Sequence, residues 1–309
     1  NPGEYFTLNK TTGTLTRLFA VRPQLQSLPL VAMRPVHVPT RDGEELLCFV
    51  SCPTGLDSEY LGRAVVYVHG GPMARDSWSY DAVVQLLCSR GMVVLQVNYR
   101  GSTGFGRRFS QLPNGDVDGI RRDVADASRW LITQGLASNN RLGIIGGSWG
   151  GYETLCGMTF DADLYSCGVA IVPLSTVGAS NTSKAFRGDP LAKRYWDRVY
   201  GKAAYDKQCS ELISPLYHVS KIRRPLMLVH GSLDVRVPIE HSNAIVNAMQ
   251  KQGVKGYYVC YSDEGHGVRK ERNIIDMWRR VEQFLCHTLE LPMPPVVDEK
   301  WTIGHSATV

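Results

Sequence analysis

The chain has no basic block. Its formal net charge of +5 is the balance of 34 Lys and Arg against 29 Asp and Glu. The cations fall in short pairs such as Arg107-Arg108, Arg121-Arg122, Arg223-Arg224 and Arg279-Arg280. Without interleaved aromatics they read as a solvated surface, and a nucleic-acid partner is not expected. No apolar run approaches the roughly 18 residues that a membrane span requires, and the opening NPGEYFTLNK does not read as a signal peptide. No initiator Met precedes it, so a processed or excised piece is one expectation. The eight cysteines form no C-x-x-C pair and no Cys/His group at zinc spacing, so no metal is expected. Most of them sit in apolar runs, where a thiol is a small buried hydrophobe, which points to a reducing, cytoplasmic compartment. Sequons at Asn9-Lys10-Thr11 and Asn181-Thr182-Ser183 would matter only in a secreted protein. No G-x-G-x-x-G or G-x-x-x-x-G-K-[ST] frame fits anywhere, and no cofactor is expected.

What is present is an ordinary globular composition, 309 residues with 43% hydrophobic and 20% charged, enough for one large core. EYFTL and TLTRLF, joined across NKTTG, predict a β-hairpin over residues 4–19, and the proline-rich stretch 22–35 reads as a connector. Residues 36–53 predict two antiparallel strands turning at Asp42-Gly43. From there unalternating apolar runs (64–71, 92–99, 142–148, 167–172, 225–231, 256–263) alternate with helical patterns near 81–90, 121–134, 149 onward, 239–252 and 271–289. Short apolar strands with helices between them imply a mostly parallel sheet covered on both faces, an α/β fold. Residues 173–220 form the longest piece without a clear pattern, and such insertions often shape a pocket.

The informative stretch is RLGIIGGSWGGYETL, residues 141–155. A strand ending at Gly146-Gly147, one serine and then Gly150-Gly151 opening a helix match G-x-S-x-G, in which the serine sits on a tight strand-to-helix turn. Such a turn strains the nucleophile's backbone and leaves no room for a Cβ two residues before or after it. Ser148 needs a base, and the base needs an orienting carboxylate. LMLVHGSLDVRVP ends one strand with Asp234 in its loop, and YYVCYSDEGHG ends the next with His266. Singly, Asp234 also fits a helix N-cap and His266 a loop histidine without a role. Together with Ser148 they converge on one crevice at the strand ends. His69, in YVHGGP, is the one competing histidine; His230 lies inside a strand. The glycines of that segment leave N–H groups free, and with the N–H of Trp149 one of them makes an oxyanion hole. Gly71 is favoured, with Gly70 the alternative.

YVHGGP, VNYRGSTGFGRRF, GIIGGSWGGYETL, HGSLDVRVP and DEGHG, in this order and spacing, resemble the C-terminal hydrolase domain of the prolyl oligopeptidase family of serine peptidases, most nearly its acylaminoacyl-peptidase-like branch. The resemblance covers roughly residues 36–290. It implies an α/β-hydrolase fold with Ser148 as nucleophile, His266 as general base and then acid, and Asp234 as its orienter. It also implies that Arg236, in D-x-R-x-P, holds a substrate carbonyl. The pocket for the acyl-side residue would be built by PLSTVGASNTSKAF (173–186) with Trp149 and Tyr152 nearby, and its residue types suggest an apolar lining. The family's hydrolase is capped by an N-terminal β-propeller, and the hairpin resembles that propeller's last strands. The expected division is therefore 1–35, hairpin and linker, and 36–309, catalytic domain. A lone hairpin is marginal in water, so self-association or a separate propeller fragment is the expected partner beside a small peptide substrate. The leading reading is a serine peptidase cleaving peptide or acyl-amino-acid bonds through an acyl-enzyme. A carboxylesterase and a non-catalytic interaction module are the alternatives.

Overall fold

A computed structural model of the chain describes residues 2–55, 61–181 and 190–293, together with the backbone of 305–308. β1 (Glu4–Leu8) and β2 (Leu15–Ala20) pair antiparallel as a separate hairpin. β3 (Met33–Pro39) and β4 (Glu45–Ser51) flank the turn at Asp42-Gly43. β5 (Ala64–Val68), β6 (Val93–Val97), β7 (Leu142–Gly147), β8 (Cys167–Ile171), β9 (Leu226–Gly231) and β10 (Gly256–Tyr261) follow, and β11 (His305–Thr308) adds to the edge. Among the described residues the large sheet has nine strands in the order β11-β10-β9-β8-β7-β5-β6-β4-β3. From β10 to β6 every pair is parallel; β11, β4 and β3 join antiparallel. The helices are α1 (Ala82–Ser89), α2 (Gly106–Gln111), α3 (Asp118–Thr133), α4 (Trp149–Phe160), α5 (Pro190–Tyr200), α6 (Lys207–Ile213), α7 (Glu240–Lys251) and α8 (Glu271–Thr288).

The period of two along a strand divides the apolar runs between two cores. Val65, Val94, Ile145, Val169 and Val229 pack with Val84 and Leu87 of α1 and Val281 and Leu285 of α8. Their neighbours Val66, Leu95, Ile144 and Leu228 pack on the opposite face with Ile120 and Val124 of α3, Leu155 of α4 and Ile245 of α7. Full burial of each such side chain is worth about 1.5–3 kcal/mol, and a one-residue slip would exchange the two faces of a strand. The register that places each strand's last residue is therefore set by the whole sheet.

The hairpin is different. It pairs with no strand of the large sheet among the described residues, and Tyr5, Leu8, Leu15 and Phe19 are all more than half exposed. Polar ties hold its base: Arg17 to Glu4 at 2.6 Å and Arg22 to the Pro2 carbonyl at 3.0 Å. The connector after it docks sooner than expected. Val31 exchanges two hydrogen bonds with the Gln85 amide of α1, each at 2.9 Å, and the sheet begins at Met33.

Candidate active site

Four strand ends meet at one edge of the parallel sheet. β7 delivers Ser148 at φ 56° and ψ −115° as the N-cap residue of α4, a positive φ that non-glycine residues adopt only when their surroundings impose it. The imposing contacts come from the flanking glycines. A Cβ on Gly146 would stand 2.4 Å from the Gly150 carbonyl oxygen, and one on Gly150 would stand 2.0 Å from that of Val68. A serine at this position ordinarily caps its helix. Here its hydroxyl makes no capping bond and lies instead 3.0 Å from Nε2 of His266.

β9 and β10 supply the other two side chains. Nδ1 of His266 is 2.8 Å from Oδ2 of Asp234. The imidazole is 19% exposed while the carboxylate is wholly buried, so the ring has one face toward solvent and one toward a fixed charge. Asp234 is held from behind, its Oδ1 accepting from the N–H groups of Arg236 at 2.8 Å and Val237 at 2.9 Å. Burial alone would push this carboxyl up. Hydrogen bonds from His230, His266 and the Val237 N–H outweigh it and keep the group well below the usual carboxylate range.

The fourth strand end is β5 with His69-Gly70-Gly71-Pro72. Gly71 has φ 128°, and a Cβ on Gly70 would meet that of Ser148 at 3.3 Å, so this loop lies against the serine. The N–H of Trp149 is the first of α4 and has no acceptor within the helix. His69 is occupied elsewhere: Nδ1 is 2.7 Å from the Gly70 carbonyl, Nε2 is 3.0 Å from Ser102 Oγ, and the ring stacks on Tyr99. Burial pushes its imidazole down to about 4. Its bonds hold the loop.

The remaining sequence candidates separate. Arg236 is exposed on the loop after Asp234. Tyr152 is only 3% exposed, and its hydroxyl donates to the Ile213 carbonyl at 2.8 Å; it stands behind Trp149, with ring centroids 4.8 Å apart. The rings facing Trp149 come from α5, Trp196 at 5.3 Å and Tyr200 at 6.4 Å. The pocket segment expected at 173–186 contributes differently. Val177 and Ser180 are tied to Ser214 and Ser210 of the following helices at 3.1 and 2.8 Å, and 182–189 lie outside the described residues.

Sequence reasoning passed over His230. It is fully buried, its Nε2 donates to the Val237 carbonyl at 2.8 Å and lies 3.5 Å from Asp234 Oδ2, and its Nδ1 meets Ser242 Oγ at 2.7 Å. Its only signal was a polar residue closing an apolar strand four places before the acid. No helix among the described residues is long and apolar enough to cross a membrane.

Residues 78–291 match the sequence profile of the prolyl oligopeptidase family, peptidase S9. The chain belongs to that family. Dipeptidyl aminopeptidase BIII of Pseudoxanthomonas mexicana is 38% identical over 304 residues, 93% of this chain and 43% of that protein. Acylamino-acid-releasing enzyme 1 of Oryza sativa subsp. japonica is 27% identical over 222 residues, 68% of this chain and 28% of that protein. The solved structure of a Mycobacterium tuberculosis puromycin-hydrolyzing peptidase superposes with a TM-score of 0.82 at 27% identity, over 96% of this chain and 45% of that one. The chain thus spans less than half the length of these relatives, and its fold is the α/β-hydrolase fold of the prolyl oligopeptidase family with an antiparallel hairpin at its N-terminal side.

Proposed function

We propose that this domain is a serine peptidase that hydrolyses peptide or acyl-amino-acid bonds of small peptides through an acyl-enzyme. The observation that carries the reading is the chain of contacts from Ser148 Oγ to His266 Nε2 at 3.0 Å and from His266 Nδ1 to Asp234 at 2.8 Å. In acylation, Oγ attacks the substrate carbonyl carbon as Nε2 takes its proton. The carbonyl oxygen becomes an oxyanion facing the N–H groups of Trp149 and Gly71. Asp234 fixes the ring and favours the imidazolium. The C–N bond then breaks as His266 returns the proton to the departing amine nitrogen, leaving an ester on Ser148. A water molecule, deprotonated in turn by His266, attacks that ester and releases the acid. Arg236, exposed beside the acid, is the group offered to a carbonyl of the substrate's acyl part. The eight cysteines, all unpaired thiols, favour a cytoplasmic setting.

The test is covalent. A fluorophosphonate should form an adduct that peptide mapping places on Ser148, and Ser148→Ala should abolish it. An adduct on another serine overturns the assignment. Comparing an acyl-amino-acid anilide with a p-nitrophenyl ester then separates peptidase from esterase, and turnover of neither leaves only the interaction module.

A further inference from the structure

The reaction leaves several buried acids unused, and Glu153 is the most isolated of them. Glu153 lies on α4, is 1% exposed, and neither of its carboxyl oxygens has a hydrogen-bond partner among the described residues. The indole Nε1 of Trp149, one turn earlier on the same stripe of the helix, is a donor that bears on this carboxyl, without closing a hydrogen bond of good geometry. Orphaned buried polar groups are rare enough that each calls for an explanation. The interior supplies one cation, and it is already engaged. Arg121 of α3 faces Glu153, but its guanidinium is committed to Asp118 at 2.7 and 3.0 Å and to Asp161 at 2.5 Å. Asp118 and Asp123 add negative charge from the same helix. The other titratable groups facing it are Tyr99, Tyr152, Cys156 and Tyr165. Burial, the largest influence, pushes the Glu153 carboxyl well above its ordinary range.

The surroundings point to a ligand. Trp149 directly follows the nucleophile, so its ring begins where the acyl-side residue of a substrate must lie. Glu153, four residues on, lies about 6 Å deeper along the helix axis. That is roughly the reach of a lysine side chain from Cα to Nζ at ~1.5 Å per bond. The intervening wall is aromatic: Trp149 stacks on Trp196 at 5.3 Å, and Trp196 on Tyr200 at 5.0 Å.

We propose that Glu153 determines specificity on the acyl side of the cleaved bond, and that the pocket beside Ser148 takes a basic side chain, Lys or Arg, whose cation passes along the Trp149 and Trp196 rings to the Glu153 carboxylate. This deepens the peptidase reading and rests on it. The ring faces attract a cation, and the arriving charge releases the Glu153 proton to solvent. Trp149 and Glu153 are both 1% exposed, so entry parts the Trp149–Trp196 stack. An apolar side chain of the same length leaves the acid without its partner, and sites built for a polar group discriminate strongly against analogues that lack it.

The experiment measures kcat/KM on acyl-dipeptide anilides that differ only in carrying Lys or norleucine at the acyl-side position, for the native chain, Glu153→Gln and Glu153→Leu. The native chain should favour Lys by about tenfold or more, increasingly so as pH rises and Glu153 ionises. Glu153→Gln should bring the ratio near one, and Glu153→Leu should reverse it. A cooperative thermal melt shows that each variant folds, and the near-isosteric Gln carries the test alone if Leu does not. A native preference for norleucine, or a ratio unchanged in Glu153→Gln, overturns the assignment of Glu153 and leaves the peptidase intact. Turnover of neither anilide by folded native chain sinks the peptidase reading, and this proposal with it.

Discussion

The two sides of the crevice are built in different ways. Ser148, Asp234 and His266 ride on short turns at the ends of β7, β9 and β10, placed by the register of the sheet that those strands share. The aromatic wall opposite Trp149 comes from α5, which is held by bonds to a remote turn: the Gly115 N–H donates to the Arg198 and Val199 carbonyls at 2.9 and 3.1 Å. In the proposed reading, reactivity follows from the sheet, and selectivity from a helix packed outside it. The two should respond differently to mutation.

The largest effect is expected on the reactive side. Ser148→Ala should lower kcat by about 10⁴-fold or more while leaving the melting temperature within a few degrees, because the residual rate of such sites comes from binding and the oxyanion hole alone. A small loss of rate would break the comparison at its first limb. On the selective side, Trp196→Ala removes a ring from the Trp149 stack and should cost about 10- to 100-fold in kcat/KM for a peptide anilide, chiefly through KM. Labelling of Ser148 by a small fluorophosphonate should slow far less. Equal loss in both assays would mean that the wall also sets the catalytic geometry.

Acid should find the reactive side before the hairpin. Burial pushes His69 and His241 down to about 4, whereas an unfolded histidine titrates near 6.5. Between these values the unfolded chain binds more protons than the folded one. The stability linked to these two rings is therefore complete above about pH 6.5 and falls with pH by up to about 1.4 kcal/mol per unit for each ring, until about pH 4. The depressed Asp234 extends the loss to lower pH. Thermal melts at pH 7, 6 and 5 should show a steady decline, and a flat series would mean that the rings are hydrated. The smallest effect is expected from removing residues 2–22. With Tyr5, Leu8, Leu15 and Phe19 exposed, the melt should shift by only a few degrees, while any mass that grows with concentration in light scattering should disappear. A collapse of the melt would show that the hairpin braces the catalytic domain.

The same contrast explains what could be read from the sequence. Continuous apolar runs announced the parallel strands because both faces are buried, and steric need announced the glycines around Ser148. α2, α6 and β11 carried no comparable pattern; α5 did, with Tyr195, Trp196, Val199 and Tyr200 at helical spacing inside a segment read as patternless. The ring contacts of Trp196 and Tyr200 join segments whose proximity only the fold creates. Tyr152 looked available because it follows Ser148 closely, yet one turn of helix turns it inward to the Ile213 carbonyl. His230 was hidden by its strand, since a histidine closing an apolar run has no spacing that marks it as a neighbour of the acid.

The clasp between Val31 and Gln85 says where the molecule can be cut. The Gln85 amide answers both backbone groups of Val31 as a neighbouring strand would, so we propose that the seam between hairpin and hydrolase lies before residue 31. The boundary expected at 35/36 runs through β3, which spans Met33–Pro39 and forms one edge of the large sheet. A cut there would strip the first residues from that strand, fray its pairing with β4 and expose backbone donors and acceptors to other chains. Proteases given the native protein should nick the stretch between Ala20 and Leu30, and a fragment starting at Leu30 should keep its edge.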